Sequence, residues 1–389
     1  MKNYLTLVLA LSVVSSPAFA SRARLESLGE GKNGSYYIDD SRNMFLNPAS
    51  IVRYKKKMML ELGNNTNSAV DFTNILAGDP VTSGPDTAVL SRPQGGFTNT
   101  FGDFTYALYL NNTSDRAINT LGTVLAPTDA IEFALAGEGS VNWGVSVLHG
   151  GNRAGDASSR YWAARFGVEK DAIALFGTVG IDSKANNAAA PVSALVAGTN
   201  EVKGNTSLDL GATYKMDEMT VFGKFLTTKA TWSGAAGTTN EGKTTAFGIG
   251  AGWKKEMTKS TNMFVRVEAD SAKSENTAAT LAAFNSSFWN VPVVLAAETQ
   301  AMSWLAIRGS IAHSLLGQNL LTRDDLANQT TVSAGIGMTF GDLVIDGMVA
   351  SSGLVNTNDN IGFGSGVNSG STFGFGDSMI SRIGLTYNF

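Results

Sequence analysis

The 389-residue sequence contains no cysteine, only two histidines (His149 and His313), eight prolines and 16% charged residues. No disulfide can hold the fold, and thiol nucleophiles and thiolate metal sites are excluded. Neither an HExxH nor a GxSxG motif occurs, so the usual zinc-hydrolase and serine-hydrolase signatures are missing. Beyond residue 20 no run of 18 apolar residues appears, which leaves no candidate transmembrane helix. The formal net charge of −4 argues against nucleic acid as a partner. The chain reads as a non-enzyme with no cofactor.

What is abundant is glycine, 43 residues, together with asparagine, threonine and serine, a strand-and-turn composition. The closing octapeptide RIGLTYNF places Ile383, Leu385, Tyr387 and Phe389 on one face and Arg382, Gly384, Thr386 and Asn388 on the other, because side chains on a strand alternate with period two. The same alternation recurs in FTYALYLN from Phe104, VNWGVSV from Val141, MFVRVEA from Met263 and VSAGIGMTF from Val332. About sixteen such segments can be counted, each near the ten residues that cross a bilayer as a tilted strand, with fourteen as the alternative count. Short turns at 102–103, 139–140, 170–171, 216–218 and 341–342 alternate with long polar stretches at 67–93, 112–129, 182–205, 229–243, 270–290, 314–329 and 351–378.

The predicted fold is therefore an all-β transmembrane antiparallel up-and-down barrel over residues 57–389, with short periplasmic turns and long extracellular loops in the bacterial outer membrane. Outer-membrane lipids are the expected surroundings. Residues 1–20, MKNYLTLVLALSVVSSPAFA, have the positive start, apolar run and Ala18-Phe19-Ala20 end of a secretory signal peptide. Residues 21–56 form an N-terminal segment that lies either under the barrel in the periplasm or in its lumen as a small plug. In the second case Arg24, Glu26, Asp39, Asp40 and Arg42 would meet wall charges.

If the apolar stripe meets lipid, the opposite stripe lines the lumen. That assigns Glu61, Glu132, Glu138, Arg165, Glu169, Asp209, Lys215, Arg266, Glu268, Arg308, Asp346 and Arg382 to the inside, since a lipid-facing Arg or Lys costs roughly 2–4 kcal/mol at the midplane. Glu61 on the first strand and Arg382 on the last are expected to pair where the barrel closes. The mixed signs suit either a polar channel wall with weak ion preference or a stiffening network inside a plugged barrel. Sixteen strands leave room for a water-filled lumen. Small solutes and ions are then the expected cargo, and a homotrimer is one candidate assembly.

Other candidates are weaker. GIGAG at 248–252 lacks the lysine and helix of a phosphate loop, and its glycines alternate as small lumen residues would. VNTNDN at 355–360 offers oxygen ligands without the spacing of a calcium loop. Lys55, Lys56 and Lys57 suggest a basic collar at the membrane edge.

The signal peptide, repeated amphipathic strands and aromatic end resemble bacterial outer-membrane porin-like barrels. In that group a final strand ending in Phe is a signal read by the barrel-assembly machinery, which Tyr387 and Phe389 match. DDSRNMFLNPA at 39–49 is similar to porin-like major outer-membrane proteins of predatory deltaproteobacteria. Within it Asn47, Pro48 and Ala49 resemble the Asn-Pro-Ala motif before the first strand of the long-chain fatty-acid transporter family. That resemblance implies fourteen strands, an N-terminal hatch and hydrophobic cargo. An open porin-like channel is the leading expectation. The alternatives are a gated transporter of hydrophobic compounds with an N-terminal plug, and a structural or surface-recognition protein meeting partners through loops 182–205 and 351–378.

Overall fold

The computed structural model describes residues 21–63, 93–112, 129–154, 157–187, 199–234, 239–277, 284–319, 330–351 and 379–389. The predicted signal peptide, stretch 355–360, and most of predicted loops 67–93, 112–129, 314–329 and 351–378 lie outside them. Sixteen strands follow one another: β1 Lys57–Gly63, β2 Gln94–Phe101, β3 Phe104–Leu110, β4 Asp129–Gly137, β5 Asn142–Ala154, β6 Ala157–Lys170, β7 Ile173–Asn187 and β8 Thr199–Met216. The second half comprises β9 Met219–Gly234, β10 Thr239–Thr258, β11 Thr261–Thr277, β12 Phe284–Met302, β13 Leu305–Asn319, β14 Thr330–Phe340, β15 Leu343–Ser351 and β16 Met379–Asn388.

Each strand pairs antiparallel with its sequence neighbours, and β1 closes on β16 with Lys57 opposite Asn388 and Gly63 opposite Arg382. Closure removes both sheet edges, so the backbone hydrogen-bonding groups of the spanning strands find partners within the ladder. The count is sixteen, and the alternative of fourteen is set aside.

The two faces separate as the alternation predicts. On β5, Trp143, Val145 and Val147 are exposed outward while Gly144, Ser146 and Leu148 are buried inward. On β16, Ile383 and Tyr387 point out, and Arg382, Gly384 and Thr386 point in. Outward-facing Phe104, Trp143, Tyr214, Trp253, Trp304, Phe340 and Tyr387 gather toward the short-turn end, the place of an interfacial aromatic girdle. The tight turns need a residue in the left-handed region, supplied by Gly102 (φ 58°), Asp171 (φ 51°), Asp217 (φ 49°) and Gly341 (φ 60°).

On the other side the ladder runs further than its apolar pattern. Much of predicted loops 182–205, 229–243 and 270–290 is strand, because β7 to β12 continue past the apolar band. Outside hydrocarbon a paired ladder needs no oily face, so polar sequence continues it.

Residues 21–54 form no strand and lie inside the barrel. Helix α1 (Arg22–Ser27) is capped by Ser21, whose Oγ accepts from the Arg24 N–H at 3.1 Å. Two 3₁₀ turns, Ser41–Phe45 and Pro48–Arg53, are capped by Asp40 and Asn47, which accept from Arg42 N–H (2.9 Å) and Ala49 N–H (3.0 Å). Capped turns satisfy part of their own backbone, as a segment with no strand neighbour requires. Between 21 and 54 only Asp39 and Arg53 are exposed.

Candidate functional site

Three groups of charge hold the inserted segment to the wall. In the first, Glu61 of β1 accepts from Arg42 Nη1 (3.0 Å), Gln94 Nε2 (2.8 Å) and the Arg22 N–H (2.7 Å). Arg42 also donates to Tyr109 Oη (3.1 Å), Asn112 Oδ1 (3.1 Å) and the Lys32 carbonyl (2.7 Å). A fully buried guanidinium is tolerable only with its donors engaged.

The second group begins at Arg24, which makes a two-pronged contact to Glu298 (3.0 and 2.9 Å) and reaches Asp40 at 2.8 Å. Glu298 continues to Arg308 (2.6 Å), Arg308 to Asp346 (2.5 Å), and Asp346 accepts from Ser21 Oγ (2.9 Å). Beside it Glu26 binds Arg22 (2.5 Å) and Arg382 (2.9 Å). Burial pushes the Glu26 carboxyl up, but the two arginines outweigh it and hold its pKa at about 2.

In the third group Glu30 faces Arg266 at 3.2 Å, and behind Arg266 stand Glu268, Lys224 and Asp270. Here burial wins over Arg266, and the Glu30 carboxyl is raised above its ordinary value.

Apolar seats complete the fit. Leu25, Leu28 and Ile38 pack with Phe264 and Ala296 of the wall, and Met44, Phe45, Ile51 and Val52 pack with Met59, Ala107, Tyr109, Ala134 and Ala136. Tyr36 stacks on Phe222 (centroids 4.8 Å) and leans on Phe176 (5.8 Å). These wall aromatics point inward, where a purely aqueous lumen would leave them in water.

The Asn-Pro-Ala motif is a docking knuckle. Asn47 donates to Glu169 Oε1 at 2.8 Å while its own oxygen caps the following turn. Its neighbours on the wall are Gly144 and Gly167: a Cβ on Gly144 would overlap the Pro48 carbonyl, and one on Gly167 the Asn47 side-chain oxygen. Only glycine permits so close an approach. Arg53 also pairs with Glu169.

Of the twelve predicted lumen charges, Glu61, Glu132, Arg165, Asp209, Arg266, Glu268, Arg308, Asp346 and Arg382 are buried inside, and Glu169 is largely covered by Asn47 and Arg53. Glu132 and Arg165 pair with one another. Two positions correct the expectation. Glu138 follows the end of β4 and is exposed, paired to Lys55 at 2.6 Å, and Lys215 is exposed beside the β8–β9 turn; both lie where the strands have left the lumen. Glu61 and Arg382, expected to pair at the closure, are each also met by the inserted segment, Glu61 by Arg42 and Arg382 by Glu26. Glu298, Lys224, Asp270, Tyr109 and Phe264 were missed by sequence reasoning. For the last two the signal was available: an aromatic residue on the polar stripe of a strand.

Of the remaining candidates, Gly248 and Gly252 of GIGAG face the lumen, Gly252 beneath the Tyr37 ring. His149 and His313 are separate and take the outward stripe. Tyr387 and Phe389 are exposed at the short-turn end.

The closed ladder and its apolar outer face settle the setting. The protein is an outer-membrane β-barrel. No family model matches the chain, and no curated protein matches it either. Among solved structures it is similar to the toluene transporter TbuX of Ralstonia pickettii (10% identity, 93% of this chain and 97% of that one, TM-score 0.40). It is also similar to a Pseudomonas aeruginosa FadL homologue (12%, 93% and 98%, 0.40) and to OmpT of Vibrio cholerae (9%, 86% and 95%, 0.39). Likeness at this level says nothing of cargo.

Proposed function

We propose that the protein is a gated outer-membrane transporter in which residues 21–54 are a plug that must shift before a substrate passes. The carrying observation is the burial of that segment against inner-wall residues from β1 round to β16, which favours a gate over an always-open porin-like conduit. The contacts suit release. Buried ion pairs sit close to balance between Coulomb attraction and desolvation, so exchange of partners or entry of water shifts them by modest free energies.

Small hydrophobic compounds are the substrate class we assign. The Asn-Pro-Ala resemblance supports this, as do inward apolar clusters above the plug: Ala130, Leu148, Tyr161 and Ala163 on β4–β6, and Leu226, Ala246 and Ala272 on β9–β11. Passage involves no chemical step. The absence of native cysteine allows a direct test, because Ser21 of the plug reaches Asp346 of the wall, Oγ to Oδ2 at 2.9 Å, within the span of a short thiol crosslinker. Ser21→Cys with Asp346→Cys, joined by a short reducible bis-thiol crosslinker, should stop uptake of a small apolar fluorescent probe into proteoliposomes, and reductant should restore it. Equal uptake in both states would remove the gate.

A further inference from the structure

The ladder beyond the apolar band carries an unexpected feature on its outward face. Across β6, β7 and β8, Arg160 stands directly opposite Lys184, and Lys184 directly opposite Lys203. Directly opposed Cβ atoms are only about 4.5–5.5 Å apart, and like charges so placed destabilise a sheet. Asp182 meets Arg160 at 2.9 Å and Glu201 meets Lys184 at 2.8 Å, but these are solvent-exposed pairs that offset little. Asp182 meets Arg160 through its Nε, and the Arg160 side chain is 60% exposed. Lys203 is exposed and has no ion-pair partner among the described residues.

On the β5 side Gly151 stands opposite Arg160 and offers no side chain. A cavity of about 680 Å³ opens there, lined by Arg153, Arg160 and Lys184 with Asp129, Ser158 and Asn186. Three cations and one carboxylate line it, with Asp182 and Glu201 standing beside Arg160 and Lys184, and neutral groups able to bond hydroxyls lie alongside. His149 closes the membrane edge of the cavity and leans on Trp162, centroids 4.2 Å. Trp162 points outward one step nearer the apolar band than Arg160, and an outward tryptophan there marks the membrane interface.

We propose that this cavity binds the phosphorylated sugar headgroup of an outer-leaflet glycolipid. Phosphate sits against Arg153, Arg160 and Lys184, sugar hydroxyls meet Asp129, Ser158 and Asn186, and acyl chains lie on Trp162, Phe166 and Ile181 below. The position selects an amphiphile: a soluble phosphate would use the cations and leave the adjoining apolar face unused. Occupancy relieves the repulsion along the Arg160–Lys184–Lys203 row, so binding should also stabilise the outer ladder.

The test titrates the folded full chain, in neutral detergent micelles, with a bis-phosphorylated glycolipid, the same glycolipid after phosphatase treatment, and inorganic phosphate. Saturable binding of the first alone is expected. Arg160→Gln with Lys184→Gln should weaken it about thirtyfold. Lys229→Gln with Lys243→Gln, an opposed outward pair on β9 and β10 away from the cavity, should change it less than about threefold. All four side chains lie on the solvated outer face, and heat-modifiable gel migration verifies that each variant is folded. Equal losses in the two pairs would reduce the effect to diffuse charge, equal affinity for the dephosphorylated lipid would remove the phosphate, and competition by millimolar inorganic phosphate would make the site one for a free anion. Each of these overturns the proposal.

Discussion

Inside the barrel, Arg42 of the inserted segment meets Glu61 of β1 at 3.0 Å, with both side chains sealed from water. The contact ties the plug to the strand that follows it, and Gln94 of the wall shares the Glu61 carboxylate at 2.8 Å.

Arg42→Leu should therefore unseat the plug without dissolving the barrel. Removing one partner of a buried pair costs about 3–5 kcal/mol, here charged to the seated state. Expected results are higher ion current in planar bilayers and faster proteolysis of residues 21–54, with unchanged heat-modifiable migration. Loss of the folded band would instead make Arg42 part of the barrel's own stability.

The response to pH has two limbs of opposite sign. Glu26 is held at about 2 against an ordinary 4.5, so its contribution to seating is complete above the ordinary value and lost as pH falls toward about 2. Glu30, raised by burial, seats best when protonated and weakens the plug as pH rises through its shifted value. Current should thus rise at strong acid and again as pH climbs above the ordinary carboxylate range. Glu26→Gln should blunt the first rise and Glu30→Gln the second; profiles that both variants leave untouched would disprove the assignment.

Glycine at 144 and 167 sets the depth of the Asn-Pro-Ala knuckle. Gly144→Val should push Pro48 off the wall at a cost of about 1–3 kcal/mol, the range for overpacking, and raise current. Asn47→Ala should act in the same direction through loss of the Glu169 contact and of the turn cap. Unchanged current in both would leave the motif without a role in docking.

Neighbouring residues on β11 separate the two faces. Val265→Arg puts a charge toward lipid at roughly 2–4 kcal/mol near the midplane and should lower the yield of inserted barrel. Arg266→Ala leaves Glu30 and Glu268 without their shared cation; it should permit assembly and loosen the plug. Similar assembly yields for both would contradict the assignment of faces.

Much of this was legible in the sequence, and the limits were physical. The strands announced themselves wherever one face meets lipid, as at Val141 to Val147, because hydrocarbon enforces strict alternation. The outer ends of β7 to β12 were hidden because strands in water carry no such pattern. Ten of the twelve predicted lumen charges lie inward, with Glu138 and Lys215 the exceptions, while the contacts of Arg42 with Glu61 and of Glu26 with Arg382 were hidden, since nothing local shows that the inserted segment reaches them. Tyr109 and Phe264 were the overlooked clue: an aromatic residue on a wet stripe implies something apolar inside to cover it.

Single-channel recording tests the central claim most directly. The full chain should show little or no steady current, and a variant lacking residues 21–38, which retains the Asn47-Pro48-Ala49 knuckle, should conduct several-fold more. Equal currents from the two, with the barrel folded in both, would contradict a gate formed by this segment.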